Sequence, residues 1–285
     1  MTPTSSPADA IALTHEFVEG LIDPAHGPIP SSHAAVVVAH PDDETIGCGA
    51  LLGRLKDVSV VMVTDGAPRN LADARAYGFA TAEDYAARRL DELHAALALA
   101  GVGAEALISF AIPDQQAALH LADLARRLAE TCADRNITVI ITHAYEGGHP
   151  DHDATAFAAH AAALLLAPRQ PILIVEMPLY RLGATATVYQ QFLPDRMRVQ
   201  IAIPLTHDER DRKRRMIEAH GSQKKVLEAF QNDFERFRPA PAYDFAALPN
   251  CGRVLYEQHD WGMDGARWST LAKAALLDLG LGAQP

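Results

Sequence analysis

Two apolar runs, each breaking abruptly into a knot of ionisable side chains, constrain this chain more than any other feature. The first, Ala34-Ala35-Val36-Val37-Val38-Ala39, has the composition of a strand buried on both faces. It gives way at once to His40-Pro41-Asp42-Asp43-Glu44, one imidazole and three carboxylates within five residues. A helical pattern follows in Ile46, Ala50, Leu51 and Leu55, so the polar cluster sits where the carboxyl end of a strand turns into a helix. Open α/β sheets place their ligand crevice at that point. Pro41 biases His40 away from helix, which suits a residue ending a strand. Four ionisable groups in so short a loop repel one another unless a cation gathers them, and a metal site is the first expectation.

The second run, Ile137-Thr138-Val139-Ile140-Ile141-Thr142, ends in the polar stretch 143–153, which contains His149-Pro150-Asp151-His152-Asp153. Strands of a parallel sheet share one carboxyl edge, so knots as far apart in sequence as His40 and His152 can meet in space. Two histidines from different knots plus one carboxylate supply the three ligands of a catalytic zinc site, with a position left for water. A further carboxylate outside that set would be free to take the water's proton.

Between and beyond the knots, strands alternate with helices. The pattern predicts helices over 9–22, 45–56, 82–99, 115–134 and from the second knot to 166. Strands are expected at 58–64, 106–110 and 171–175, with 67–81 a loop. This is the signature of a Rossmann-like, doubly wound, mostly parallel sheet with helices on both faces. The last third is less regular: a strand at 199–203, helices over 206–220 and 223–237, an edge strand at 254–257, and a Pro-rich stretch 238–249 that is either a lid or a surface loop. The chain reads as one domain, 1–285, with its core at 34–176 and 177–285 completing the pocket and the sheet edge. The irregular stretches 67–81, 180–194 and 238–249 are expected to shape the outer pocket.

A net charge of −11 argues against a nucleic-acid backbone as partner. The basic run 210–215 lies within a helical pattern and reads as a solvated face. Cys48, Cys132 and Cys251 are too scattered for a disulfide framework, and a reducing cytoplasm is the expected compartment. Cys48 and Cys132 read as small buried hydrophobes. No secretory signal opens the chain and no stretch approaches the length of a membrane span, so no membrane anchor is expected. A homo-oligomer is compatible with this pattern but not specified by it.

His40-Pro41-Asp42-Asp43-Glu44 followed by Gly47-Cys48-Gly49, with the later His149-Pro150-Asp151-His152, resembles the LmbE/PIG-L family of metal-dependent N-deacetylases. That family includes the N-acetylglucosaminyl-phosphatidylinositol deacetylase and the deacetylases of mycothiol and bacillithiol synthesis. The resemblance covers 34–175 and returns at His220-Gly221-Ser222-Gln223. It implies that His40, Asp43 and His152 hold Zn2+, with Fe2+ or another divalent ion as alternatives. It makes Asp42 the general base that activates the metal-bound water and later protonates the leaving amine, and His149 the cationic partner of the tetrahedral oxyanion. Arg89 and Asp114 match positions that bind the sugar or its attached groups, with Arg88 a rival to Arg89. Asp151 and Glu44 would orient ligands from behind; His143 and Tyr145 lie near the site without a transferable role. His220 either packs a core helix or lines the pocket.

The implied reaction removes an acetyl group from the 2-amino nitrogen of an N-acetylglucosamine-containing small molecule. An amidase acting on a larger thiol or glycoside conjugate is the nearest alternative. A nucleotide-binding module is the rival of another class, because Gly47-x-Gly49-x-x-x-Gly53 opens a helix after a strand. Against it, GxGxxG is absent, and Asp42, Asp43 and Glu44 would repel a pyrophosphate from that turn. A non-haem iron oxygenase also uses two histidines and a carboxylate, but it needs no spare base beside them.

Overall fold

The computed structural model describes Phe17, Gly20, Leu21, Asp23, and residues 28–195 and 199–282. Five strands run parallel: β1 (Ala34–Val38), β2 (Ser59–Thr64), β3 (Leu107–Ile112), β4 (Val139–His143) and β5 (Leu173–Met177). Two later strands, β6 (Ile201–Pro204) and β7 (Phe234–Pro239), extend the sheet antiparallel beside β5, giving the order β6-β7-β5-β4-β1-β2-β3.

The valine-rich strands are apolar throughout because both faces are covered. Val36, Val38, Val60 and Met62 pack with Leu51, Leu52, Leu93, Leu97 and Met216. Those partners lie on helices α1 (Asp43–Leu52), α2 (Ala82–Leu99) and α5 (His207–Ala219). Ala35, Val37, Val61 and Val63 belong to the opposite core with Leu124, Leu128, Phe157 and Trp268. These come from α3 (Leu121–Asp134), α4 (Pro150–Leu166) and α6 (Gly265–Asp278). Successive strand residues thus feed opposite layers, as the pleat dictates. In register, Val37 pairs with Thr142, so the chain leaves β1 and β4 side by side at one sheet edge.

Several elements differ from the sequence expectation. The helix expected over 9–22 lies outside the described residues, apart from helical, buried Phe17, Gly20 and Leu21. Helix α1 begins inside the first polar knot and stops at Leu52, and Leu55–Lys56 pairs instead with Ile29–Pro30 as a short parallel ladder. The stretch 67–81 carries a short helix, Ala72–Ala76, and α3 is preceded by a 3-10 turn at Ala117–His120. The helix expected over 223–237 is overturned: one turn at Lys224–Leu227 leads to strand β7, where buried Glu235 and Phe237 alternate with half-buried Phe234 and Arg236. That period of two is a strand's. Residues 254–257 form no edge strand but overlap a 3-10 turn, Leu255–Gln258. In the stretch 238–249, Phe245 is buried in the core and Tyr243 packs against it, so this segment is no lid. The basic run is not wholly solvated either, since Lys213 is fully buried in an ion pair with Glu235. No described helix is long and apolar enough to cross a membrane.

Candidate metal centre and active site

The site is built where β1 and β4 end. After β1, the chain turns through Asp42, whose φ of 149° and ψ of −24° lie outside the regions comfortable for an L-residue, and then enters α1 at Asp43. After β4, His143 is followed by a glycine turn and then α4, with His149 as N-cap and Pro150 in the first turn. Gly148 permits this path, because a Cβ there would collide with the backbone oxygen of Tyr180.

The two knots meet. His40 Nδ1 lies 3.2 Å from His152 Nε2 and 3.2 Å from Asp43 Oδ2, while His152 Nε2 lies 3.3 Å from Asp43 Oδ1. All three residues are buried. Donors held about 2.0–2.2 Å from a tetrahedral zinc ion sit roughly 3.3 Å apart, so this triangle has the dimensions the ion requires. The outer nitrogen of His40 is occupied from behind, 3.2 Å from Asp114 Oδ1 and 3.4 Å from Asp151 Oδ2. A carboxylate there keeps the proton on Nε2 and leaves the Nδ1 lone pair facing inward. Burial disfavours the His40 charge, yet Asp114 and Asp43 outweigh it and hold its pKa well above the usual value. Burial likewise works against the Asp43 carboxylate but is overcome by His152, His143 and His40, which keep it ionised. A second group of donors, His40, Asp114, His149 and Asp151, shares His40 with the first. Asp151 also accepts the backbone N–H groups of Gln115 (2.6 Å) and Ala117 (3.0 Å), fixing the loop that carries Asp114.

Asp42 stands beside the triangle without joining it. Its Oδ2 accepts from Arg89 Nη2 at 2.9 Å. Burial pushes its pKa up to about 7 against the pull of Arg89. His149 Nδ1 accepts the backbone N–H of Asp151 at 3.1 Å, which leaves the ring proton on Nε2. Burial, reinforced by the charge of His40, holds its pKa well below the usual value. This lowering favours the neutral ring, and the resemblance implies a cation at this position.

Arg89 is spent on the loop: it also donates to the carbonyls of Gly66 and Pro41. Asp114 lines the site cavity of about 130 Å³ and, with Gln115 and Trp261, a neighbouring cavity of about 400 Å³. Arg88 instead reaches Glu92 on the outside of α2. His143 stacks face to face on His152, with centroids 4.2 Å apart, and accepts from the Ala39 N–H. Tyr145 points away, its hydroxyl held by Trp268 and Ala247. His220 lies buried behind the site and meets Thr45 Oγ1 at 3.2 Å. Sequence reasoning missed Phe230 and Trp261 and assigned no individual role to Tyr180 or Gln223; all four wall the cavity from the C-terminal third. Trp261 packs 4.4 Å from the ring of His149. Of the irregular stretches, 67–81 contributes Asp73 to the site cavity and Arg69 and Asn70 to its neighbour, 180–194 contributes Tyr180, and 238–249 contributes no residue to either cavity. A larger cavity, about 840 Å³ between α4 and α6, shares no residue with the site.

Residues 35–163 match the protein family described as PIG-L, GlcNAc-PI de-N-acetylase. They are a PIG-L family domain. The membership makes the chain an N-deacetylase-type hydrolase, and both polar knots fall inside the matched span. No curated protein matches the chain in sequence. Among solved structures, the chain is similar to the A40926 pseudoaglycone deacetylase (21% identity, TM-score 0.59, covering 75% of this chain and 98% of that one). It is also similar to N,N'-diacetylchitobiose deacetylase from Pyrococcus horikoshii (19% identity, TM-score 0.55, 85% and 95% covered). A third is the zinc-inhibited form of teicoplanin deacetylase (16% identity, TM-score 0.56, 74% and 98% covered). At these identities the likeness is one of fold.

Proposed function

We propose that this PIG-L protein is a zinc-dependent hydrolase that removes the acetyl group from the 2-amino nitrogen of an N-acetylglucosamine-containing small molecule. The observation that carries the reading is the triangle of His40, Asp43 and His152 donors, 3.2–3.3 Å on each edge, with an unshared Asp42 beside it. In this reading His40, Asp43 and His152 hold the ion. Zinc, when bound, polarises the amide carbonyl and makes a water acidic enough to attack near neutral pH.

The chain's own groups do the rest. Asp42 takes the proton from the attacking water as the new C–O bond forms, and a pKa near 7 suits that exchange. His149 donates its Nε2–H to the developing oxyanion, and a neutral donor pre-aimed by the helix start needs no reorganisation. As the C–N bond breaks, Asp42 returns the proton to the leaving amine, so acetate and a free amine result. Arg89 keeps Asp42 in place, and Asp114 is the contact for a sugar hydroxyl. The aromatic rings of Tyr180, Phe230 and Trp261, interleaved with Asp73, Asp114 and Gln223, suit a sugar's mixed apolar and hydroxyl faces. The structural neighbours are deacetylases of A40926 pseudoaglycone, teicoplanin and N,N'-diacetylchitobiose, which supports an amino-sugar substrate. The C-terminal third belongs to the same domain in this reading, because it supplies two sheet strands and six of the sixteen residues that line the cavity. Three free cysteines support a reducing, cytoplasmic setting.

The test combines metal analysis of the purified protein with acetate release from a panel of N-acetylglucosamine conjugates. Bound zinc and acetate release from at least one conjugate are expected. A zinc-loaded protein that releases no acetate from any of them would overturn the reading.

A further inference from the structure

The geometry points to Glu44, braced by Thr45 and His220, as the positioning residue that holds the Pro41–Asp42 peptide and so aims Asp42. The inference rests on Asp42 being the base of the reaction proposed above. Asp42 occupies a backbone conformation that L-residues rarely adopt, and such a conformation persists only where the surroundings fix it. The peptide linking it to Pro41 is gripped at both ends. Its carbonyl, on Pro41, accepts from Arg89 Nη2 at 3.0 Å. Its N–H, on Asp42, donates to Glu44 Oε2 at 3.1 Å.

Glu44 is fully buried and touches no ligand of the proposed ion through its carboxylate, so its position has to be explained by what it holds. Its second oxygen accepts the Thr45 hydroxyl at 2.5 Å. A hydroxyl has one proton to give, so the contact of 3.2 Å between Thr45 Oγ1 and His220 Nε2 needs the imidazole as donor. A directed chain follows: His220 to Thr45, Thr45 to Glu44, and the Asp42 N–H to Glu44. His220 is itself anchored to the helix that bears Arg89. Ser222, two residues on, donates both its N–H and its hydroxyl to Glu92, one turn along α2 from Arg89. Both grips on the peptide are thus tied to one buried framework, of which His220 and Ser222 come from outside the span matched by the family.

The test compares Thr45→Val, Thr45→Ser and Asp42→Asn in the zinc-loaded protein, reading kcat, KM and zinc content. Thr45→Val should lower kcat about tenfold, the worth of a buried hydrogen bond, with KM and zinc unchanged. Thr45→Ser keeps the hydroxyl and should restore kcat. Should Thr45→Val fail to fold, His220→Leu carries the same comparison, with His220→Gln, which keeps an N–H donor, expected to restore kcat. Wild-type kcat in the valine variant, or a loss of zinc parallel to the loss of kcat, overturns the positioning role. Wild-type kcat in Asp42→Asn overturns the base assignment instead, and is distinguishable because it leaves the Thr45 chain intact.

Discussion

Arg89 and Asp42 share a buried hydrogen bond, Nη2 to Oδ2 at 2.9 Å, and the guanidinium is the main force opposing burial at that carboxylate. Deleting the charge as Arg89→Met should therefore raise the Asp42 pKa above its value of about 7. Only the ionised carboxylate accepts a proton, so the acidic limb of kcat/KM against pH should move upward, by about one to two units. Activity should fall most at pH 6–7 and recover in part in more alkaline buffer. An acidic limb that stays in place would separate Arg89 from the titration of Asp42.

The ligand triangle and the base should come apart on mutation. Asp42→Asn leaves His40, Asp43 and His152 untouched, so zinc content should remain stoichiometric while kcat falls roughly 10²- to 10⁴-fold. His152→Ala removes one corner and should lose both zinc and turnover. Chelation of the wild type should abolish acetate release, and added zinc should restore it. Stoichiometric zinc in His152→Ala would show that another residue completes the site.

The two knots and their meeting edge were legible because each signal is local. A buried parallel strand announces itself by composition, and the ionisable cluster that ends it has no structural reason to be there. What the chain conceals is which partner each charge finds. Arg89 lines the cavity, but its three acceptors, the carbonyls of Gly66 and Pro41 and the carboxylate of Asp42, are partners brought to it by the fold and carry no sequence signal. Trp261 and Tyr180 carry no spacing signal, because they reach the cavity only through the packing of the C-terminal third. Strand β7 was hidden by its charges: Glu235 and Arg238 are buried there, against expectation for such residues, because each has an ion-pair partner.

Lys213 and Glu235 repair a break in helix α1. Cys48 departs from helical geometry (φ −147°, ψ 25°), which interrupts the regular helix between Ile46 and Ala50. Glu235 instead accepts from Ala50 and Leu51 N–H at 2.7 and 3.0 Å, and Lys213 Nζ donates to Ile46 O at 2.8 Å and to Glu235 at 2.7 Å. Glu235→Ala should cost about 3–5 kcal/mol, since it strands a buried ammonium. Many buried ion pairs can be replaced together by apolar residues without loss. This one should not tolerate it, because Lys213→Met with Glu235→Met still leaves three backbone groups without partners. Urea midpoints of the single and double variants measure the difference, and a double variant as stable as wild type would refute the splice.

His160 offers a pH test outside the site of His40, Asp43 and His152. It sits on α4 against Tyr243 and Phe245, with Glu176 Oε1 4.0 Å from its Nε2, and burial lowers its pKa to about 4. In the unfolded chain the ring titrates near 6.5, so between those values the unfolded state binds the extra proton. The neutral ring thus contributes stability that is present above pH 6.5 and lost as pH falls toward 4. Buried Glu146 and Glu176, both raised to about 7, act with the opposite sign over much of that range, so the wild-type curve alone does not isolate the histidine. The comparison with His160→Phe does. Between pH 7 and pH 5 the stability of wild type relative to the variant should drop by about 2 kcal/mol, the linkage value for one such group. A difference that holds constant across that interval would mean that the ring titrates alike in the folded and unfolded chains.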